Sequence, residues 1–427
     1  MGAVGDVVKE GDHVVLDVNV GDKLVLAQAK PNGKIKVGKA YVSIGNIIGQ
    51  PWGAVFEPAS NNRELVRVDD PRQPINVIDG TQKDNRDILF AGDQALTAED
   101  IAEMQRAGTA GAEIIDALTK SSATFEAKTE FSQEKYLRKK QKKYTAKVTV
   151  RRPTTRHVAA HYFLHDPRKV HGLRTDSLAL MLAQANVGAH ARVLAVDQTG
   201  GLLTAAALER TGGFGTVCGA VLARRKGLLD ALRVMNFSQE ELETVHSCLL
   251  WQLWKEPGAD VEGNDAGGGE GDKGEGEAVK GEGGEGERGG VAQRRGGGFA
   301  VKKCTDKEVR ELAERKFTSL LVCAPMLQPL PVLRRLWRVM EPSASFAVWA
   351  QSAQTLAETL IGLQQEQMAV AMSVQECWWR EHQVLPQRTH PNMNMSGTGG
   401  FVLCGTFVAR DDDEAREEHP EKKQRVE

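Results

Sequence analysis

The residues Asp197-Gln-Thr199-Gly200-Gly201 follow the run Val193-Leu-Ala-Val and precede an apolar stripe from Leu202 to Leu208. A short apolar run ending in an acid, a glycine turn and a helical stripe form the first unit of a nucleotide-binding α/β domain. Backbone N–H groups at such a helix start approach the ligand. A working turn of the D-x-G-x-G type wants glycine at 199 and 201, whereas position 199 is Thr, 201 is Gly and 203 is Leu. The shape is kept and the ligand chemistry is lost. Two other groups of chemistry-bearing residues are weaker. His157, His161 and His165 recur every four residues, but arginines surround them and no carboxylate accompanies them, so no metal site is expected. The six cysteines are scattered without a C-x-x-C pair, which fits reduced thiols and neither a disulfide framework nor a zinc site.

Charge is distributed unevenly. The formal net charge of −2 averages an acidic stretch over 256–289, an acidic tail over 411–427 and a basic remainder. From Lys135 to His165 there are ten Lys or Arg and no Asp or Glu. On a helix Lys135, Arg138, Lys139 and Lys142 share one face, with Lys140 and Lys143 beside it and Arg151, Arg152 and Arg156 beyond. Such a helix has no local means of pairing its charges. It is either a solvated linker or a contact for a polyanion, where each neutralised phosphate releases counterions.

The elements around these residues fall into two groups. Residues 1–95 read as a small β-barrel, with β-rich runs at 14–20, 23–27, 34–37 and 40–44 and a tight corner at Gly49-Gln-Pro-Trp-Gly53. Residues 96–145 read as a helical, strongly basic linker that opens on a capping-box start at Thr97-Ala-Glu-Asp100. Residues 146–410 alternate strand and helix: strands at 193–197, 215–222, 317–323 and 345–349, helices at 177–185, 331–340 and 354–367, and two final strands near 369–379 and 401–408. A Gly/Glu-rich insertion at 256–300 and the tail at 411–427 are expected to be disordered. The most apolar window, 320–336, is cut by three prolines and two arginines, so no membrane span is expected. Reduced thiols and no span predict a soluble intracellular chain.

A parallel sheet closed by a C-terminal hairpin is the layout of a class I methyltransferase domain, a Rossmann-like α/β fold. Three requirements of that chemistry fail together. The first turn carries Thr199 and Leu203; the second strand is followed by Leu-Ala-Arg-Arg-Lys-Gly with no acid for a ribose before Asp230; and Cys323 stands where an acid or amide would orient the target nitrogen. The sequence thus predicts a degenerate cofactor site at Asp197, Thr199, Gly200, Gly201 and Cys323, no cofactor bound by this chain and no catalytic residue. The loop from Trp378-Trp379 through Arg388 and His390 to Gly400, with its spaced methionines, fits either core packing or a subunit interface.

Several motifs carry a family resemblance. Lys128-Thr-Glu-Phe-Ser-Gln-Glu-Lys-Tyr-Leu137 with the Lys run after it, Gly172-Leu-Arg-Thr-Asp-Ser-Leu178, Val193 to Gly201, Gln383-Val-Leu-Pro-Gln-Arg-Thr-His-Pro391, Met395 to Gly400 and Ile47 to Gly53 together resemble the non-catalytic subunits of eukaryotic tRNA (adenine-58) N1-methyltransferases. The resemblance spans nearly the whole chain apart from 256–300 and the tail. It implies a heterotetramer of two such subunits with two catalytic ones, S-adenosylmethionine in the partner, and tRNA binding and assembly by this chain. Carried onto this sequence, it makes Lys135, Arg138, Lys139, Lys140, Lys142 and Lys143 the candidate tRNA contacts, followed by Arg388 and His390; the charge pattern adds Arg151 and Arg152 to the same patch. Lys422-Lys-Gln-Arg425 suggests a nucleus-directed protein. The rival readings are a self-sufficient RNA methyltransferase and an assembly scaffold that does not touch RNA.

Overall fold

The computed structural model describes residues 6–37, 40–59, 63–68, 96–107, 109, 111–122, 125, 129–223, 229–254, 301–384 and 389–409. The insertion at 256–300, the tail, Arg388 and all of 69–95 lie outside the described residues.

The first part of the chain holds strands β1 (His13–Val18), β2 (Lys23–Gln28), β3 (Lys34–Val37), β4 (Ala40–Ser43), β5 (Val55–Pro58) and β6 (Leu65–Arg67). Helices α1 (Ala98–Arg106), α2 (Gly111–Lys120) and α3 (Glu130–Tyr144) follow, and then strand β7 (Val148–Arg151). The strands form an antiparallel sheet in the order β2-β1-β7-β5-β6 and a separate β3–β4 hairpin. Val14, Leu16, Phe56, Val148 and Val150 of the sheet share one core with Ile35, Val37 and Val42 of the hairpin. Two layers around one core give the barrel-like module that alternating strands require. At the corner Gly49 and Gly53 take φ of 80° and 89°, where a side chain is strained.

One boundary differs from the sequence reading. The sequence places residue 146 at the head of the second domain, but strand β7 fills the gap between β1 and β5 and buries Val148 and Val150 in the N-terminal core. Its partners lie about 130 and 90 residues upstream, and no local pattern reveals such pairing.

The second domain contains α4 (Thr155–His165), α5 (Thr175–Gln184), β8 (Arg192–Asp197), α6 (Leu202–Thr211), β9 (Thr216–Val221), α7 (Asp230–Val234), α8 (Gln239–Glu243) and β10 (Val245–Leu249). It continues with β11 (Lys302–Lys303), α9 (Asp306–Glu314), β12 (Phe317–Cys323), α10 (Pro329–Leu336), β13 (Met340–Ala350) and α11 (Ala353–Gln365). Strands β14 (Ala369–Glu376), β15 (His382–Gln383), β16 (His390–Pro391) and β17 (Phe401–Phe407) complete it. Its sheet runs β11-β10-β9-β8-β12-β13-β17-β14, and β17 is antiparallel to its neighbours. Alternate residues of β8 enter opposite cores, Val193 and Ala195 on one face and Leu194 and Val196 on the other. That two-sided burial is why the strand is a continuous apolar run. Helix α10 begins at Pro329, where a missing N–H costs nothing, and Met340, expected at its end, opens β13 instead.

The two domains are joined through polar contacts. His161 Nδ1 and His165 Nε2 lie 3.1 and 2.8 Å from the same carbonyl, that of Leu24 on the edge strand β2. The Asn236 amide accepts from the His13 N–H at 2.8 Å and donates to its carbonyl at 2.7 Å. His161 and His165 thus help hold one domain to the other. Among the described residues no group of three His, Cys, Asp or Glu could hold a metal, and no helix is long and apolar enough to cross a membrane.

Candidate functional site

Strands β8 and β12 lie side by side at the centre of the sheet, which brings Asp197 opposite Cys323. The Asp197 carboxylate is 2 % exposed and accepts four hydrogen bonds from its own turn and helix. Thr199 donates its N–H and hydroxyl to Oδ1, both at 2.7 Å; Thr204 donates its N–H and hydroxyl to Oδ2, at 2.9 and 2.8 Å. A carboxylate offers about four lone-pair sites, so these contacts saturate it. The Thr199 hydroxyl also accepts the Leu203 N–H at 3.1 Å, so the turn closes upon itself.

The surroundings tighten this closure. Gln198 donates its N–H to the Cys323 carbonyl at 3.0 Å, and its side-chain oxygen accepts from Met326 N–H at 3.2 Å. His171 Nε2 donates to the Gln198 carbonyl at 3.1 Å. Ala231 N–H donates to the Gly200 carbonyl at 3.2 Å, tying α7 to the turn. The aliphatic stem of Lys169 lies over Gly200, its ammonium is 4.3 Å from the Tyr162 ring centroid, and it reaches the carboxylate of Asp230 at 3.3 Å. Asp230, the first acid after β9, is therefore already paired. Cys323 is fully buried; burial, and then the charge of Asp197, push its thiol well above its ordinary value, so it is no nucleophile. Lys169, Thr204 and Gln198 were not singled out from the sequence, and Lys169 meets the turn only through tertiary packing.

The basic segment forms helix α3, capped by Thr129, whose side chain accepts the Ser132 N–H. Its charges are less uniform than the sequence implied. Arg138 pairs with Glu134 at 3.4 Å, one position before the acid-free run, and Lys142 pairs with Asp22 of the β1–β2 turn at 2.6 Å. Arg151 pairs with Asp17 at 3.3 Å, and Arg152 pairs with Asp6 and lies 5.0 Å from the Trp52 ring centroid. The helix expected to have no local means of pairing its charges has one, Arg138 with Glu134, and a tertiary one through Asp22. Lys140 covers the Tyr136 ring, and its burial there lowers its pKa. Lys135, Lys139 and Lys143 remain: they are exposed, spaced i, i+4 and i+8, and meet no acid among the described residues.

Between β14 and β17 the chain makes the short β15–β16 hairpin. Trp378, Trp379 and Met393 are 72 %, 40 % and 89 % exposed, which excludes core packing for them. With Arg380, His382, Pro391 and Asn392 they line a shallow depression. His390 is exposed beside it, with Nδ1 2.9 Å from the Pro391 carbonyl, distant in sequence and sheet from α3. Both ends of this loop are clamped by Arg174. Its guanidinium grips Asp176 bidentately at 2.6 and 2.8 Å and donates to the Cys377 carbonyl at 3.1 Å and the Ser396 carbonyl at 3.2 Å. Ser177 and Trp349 donate to the Gly399 carbonyl at 2.8 and 2.9 Å. A Cβ at Gly400 would stand 2.4 Å from the Trp349 nitrogen, so that position requires glycine.

The class follows from the sheet order and its central turn. A solved S-adenosylmethionine-dependent O-methyltransferase from Thermotoga maritima shares the fold with a TM-score of 0.50 at 12 % identity, covering 96 % of this chain and 97 % of that one. The sequence profile of the Gcd10p family matches residues 7–271, and the chain belongs to that family. It is 33 % identical to the non-catalytic subunit of tRNA (adenine(58)-N(1))-methyltransferase of Dictyostelium discoideum, over 95 % of this chain and 80 % of the relative. It is 29 % identical to the mouse non-catalytic subunit of the same name, over 94 % and 90 %.

Proposed function

We propose that this chain is the non-catalytic subunit of a tRNA N1-methyladenosine-58 methyltransferase, in which it binds tRNA and assembles with a separate catalytic subunit that holds S-adenosylmethionine. The names of its relatives support the first part of this reading. The single observation that carries the rest is the Asp197 turn. Its carboxylate is saturated by Thr199 and Thr204, and Lys169 lies over its glycine, so the turn offers a donor neither an open acceptor nor an open approach. What the chain offers instead is a surface. Lys135, Lys139 and Lys143 present positive charge to a phosphate backbone, and folded RNA is recognised through backbone and shape. The exposed Trp378, Trp379 and Met393 are residue types enriched at interfaces, and they suit docking of the catalytic chain. A two-plus-two heterotetramer in the nucleus completes the proposal.

The test is co-expression with the catalytic chain, followed by tRNA binding. The full-length protein should co-purify with that chain, and reversing Lys135, Lys139 and Lys143 to Glu should weaken tRNA binding while leaving the assembly intact. Unchanged tRNA affinity in the reversed protein would remove α3 from the interface.

A further inference from the structure

The β3–β4 hairpin carries a second face that the basic helix does not account for. Along β3 burial alternates: Lys34 and Lys36 point to solvent, and Ile35 and Val37 enter the core. Tyr41 stands opposite Lys36 in the antiparallel register and Ser43 opposite Lys34, so both lysines and the tyrosine share the outer side. Tyr41 is 66 % exposed, while the adjacent Val42 is fully buried. Among the described residues the Tyr41 ring stacks on nothing, and neither lysine meets an acid. An exposed aromatic ring opposite one cation and diagonal to a second suits an unstacked nucleobase: the ring takes the base and the cations take its phosphates.

This face adjoins the end of α3. Lys142 reaches Asp22 at 2.6 Å, and its carbonyl accepts from the Asn19 amide at 3.1 Å, so the β1–β2 turn is tied to α3. The next residue, Lys23, extends its ammonium to the Lys36 carbonyl at 3.5 Å and so ties that turn to the hairpin. Asp22, the acid on this path, is already neutralised by Lys142. The basic surface therefore runs from Lys139 and Lys143 across the β1–β2 turn to Lys36, with Tyr41 opposite it and Lys34 beyond.

We infer that the outer face of the β3–β4 hairpin is a second RNA contact, in which Tyr41 stacks on an unpaired base of the bound RNA while Lys34 and Lys36 hold the flanking phosphates. This rests on the reading of α3 as an RNA-binding helix, and the experiment separates the two. Binding of a fluorescently labelled tRNA transcript to the full-length chain is measured at several salt concentrations for Tyr41→Phe, Tyr41→Ala, the pair Lys34→Glu/Lys36→Glu, and the triple Lys135→Glu/Lys139→Glu/Lys143→Glu. Tyr41→Phe should bind as the parent does. Tyr41→Ala should lose about tenfold in affinity with the salt dependence unchanged, because stacking releases no counterions. The lysine pair should weaken binding and lower the salt slope by about two. Parental affinity in Tyr41→Ala alongside weakened binding in the α3 triple would overturn this inference alone. Weakened binding in Tyr41→Ala with an unaffected triple would uphold the hairpin and remove α3. If Tyr41→Ala instead releases the catalytic subunit and keeps tRNA affinity, the face is a protein contact and the inference is wrong.

Discussion

The side chain of Lys169 lies directly over Gly200: a Cβ added to that glycine would stand 2.6 Å from the lysine Cε. Gly200 has φ of 67° and forms the turn after β8, where a methyltransferase brings backbone close to its methyl donor. Here the close approach is made by a side chain of the same chain, held in place by Asp230 and Tyr162. Position 200 requires glycine because the turn needs its conformation and the lysine needs its space, whether or not a donor ever arrives.

The saturated carboxylate under that turn has become a structural group. Asp197→Asn would replace one acceptor oxygen by a donor and set it against two of the four donating groups of Thr199 and Thr204. We expect a loss of about 2–4 kcal/mol in unfolding free energy, the cost of leaving buried polar groups unpaired. Chemical denaturation of the two proteins measures it. A change below about 0.5 kcal/mol, the usual range for a surface substitution, would contradict the assigned role.

The Trp378–Met393 hairpin is predicted to depend on a residue outside it. Arg174→Lys keeps the charge but cannot grip Asp176 bidentately while also reaching the Cys377 and Ser396 carbonyls. Co-purification with the catalytic subunit should fall both in Arg174→Lys and in Trp378→Ser/Trp379→Ser, with tRNA binding by the isolated chain preserved in each. Full assembly by the double Trp variant would take the hairpin out of the interface.

Protons should loosen the junction between the domains. Burial lowers the pKa of His161, and the nearby His165 and Lys169 lower it further, against the raising effect of the Leu24 carbonyl. His157 and His13, at the same junction, are lowered chiefly by burial as well. A histidine whose folded pKa lies below its unfolded value of about 6.5 binds fewer protons when folded, so stability holds above that pH and falls as pH drops through the window beneath it. The urea midpoint should be flat above about pH 7 and decline below about 6.5, and His161→Gln should flatten that decline. A decline identical in slope in the variant would show that His161 does not contribute.

The salt dependence of tRNA binding should identify which cations face phosphate. Reversing Lys135, Lys139 and Lys143 should lower the slope of log affinity against log salt by roughly three, one for each phosphate that is no longer neutralised. Reversing Lys142 alone should also break its pair with Asp22, so its effect should appear in the melting temperature too. Equal slopes for parent and triple variant would show that the helix is a solvated linker.

The central sheet and the damaged turn were legible because their physics is local. β12 spans the same residues, Phe317–Cys323, that the apolar run marks, and β8 extends its run by one residue. What the sequence hid was pairing between distant segments. Arg151 and Lys142 look unpaired until β7 and the β1–β2 turn bring Asp17 and Asp22 to them. The spacing of His161 and His165 was visible, but their shared Leu24 carbonyl is about 140 residues upstream. The motif around Arg174 was conspicuous as a string, and only the structure reveals it as the clamp on a loop 200 residues further on.

The claim on which the rest depends is that this methyltransferase fold has given up its donor. Titration calorimetry of S-adenosylmethionine into the purified chain alone and into the co-purified complex tests it most directly. The chain alone should give no saturable heat, and the complex should bind in stoichiometry with the catalytic subunit. Saturable micromolar binding to the chain alone, abolished by Asp197→Asn in a protein that remains folded, would contradict it.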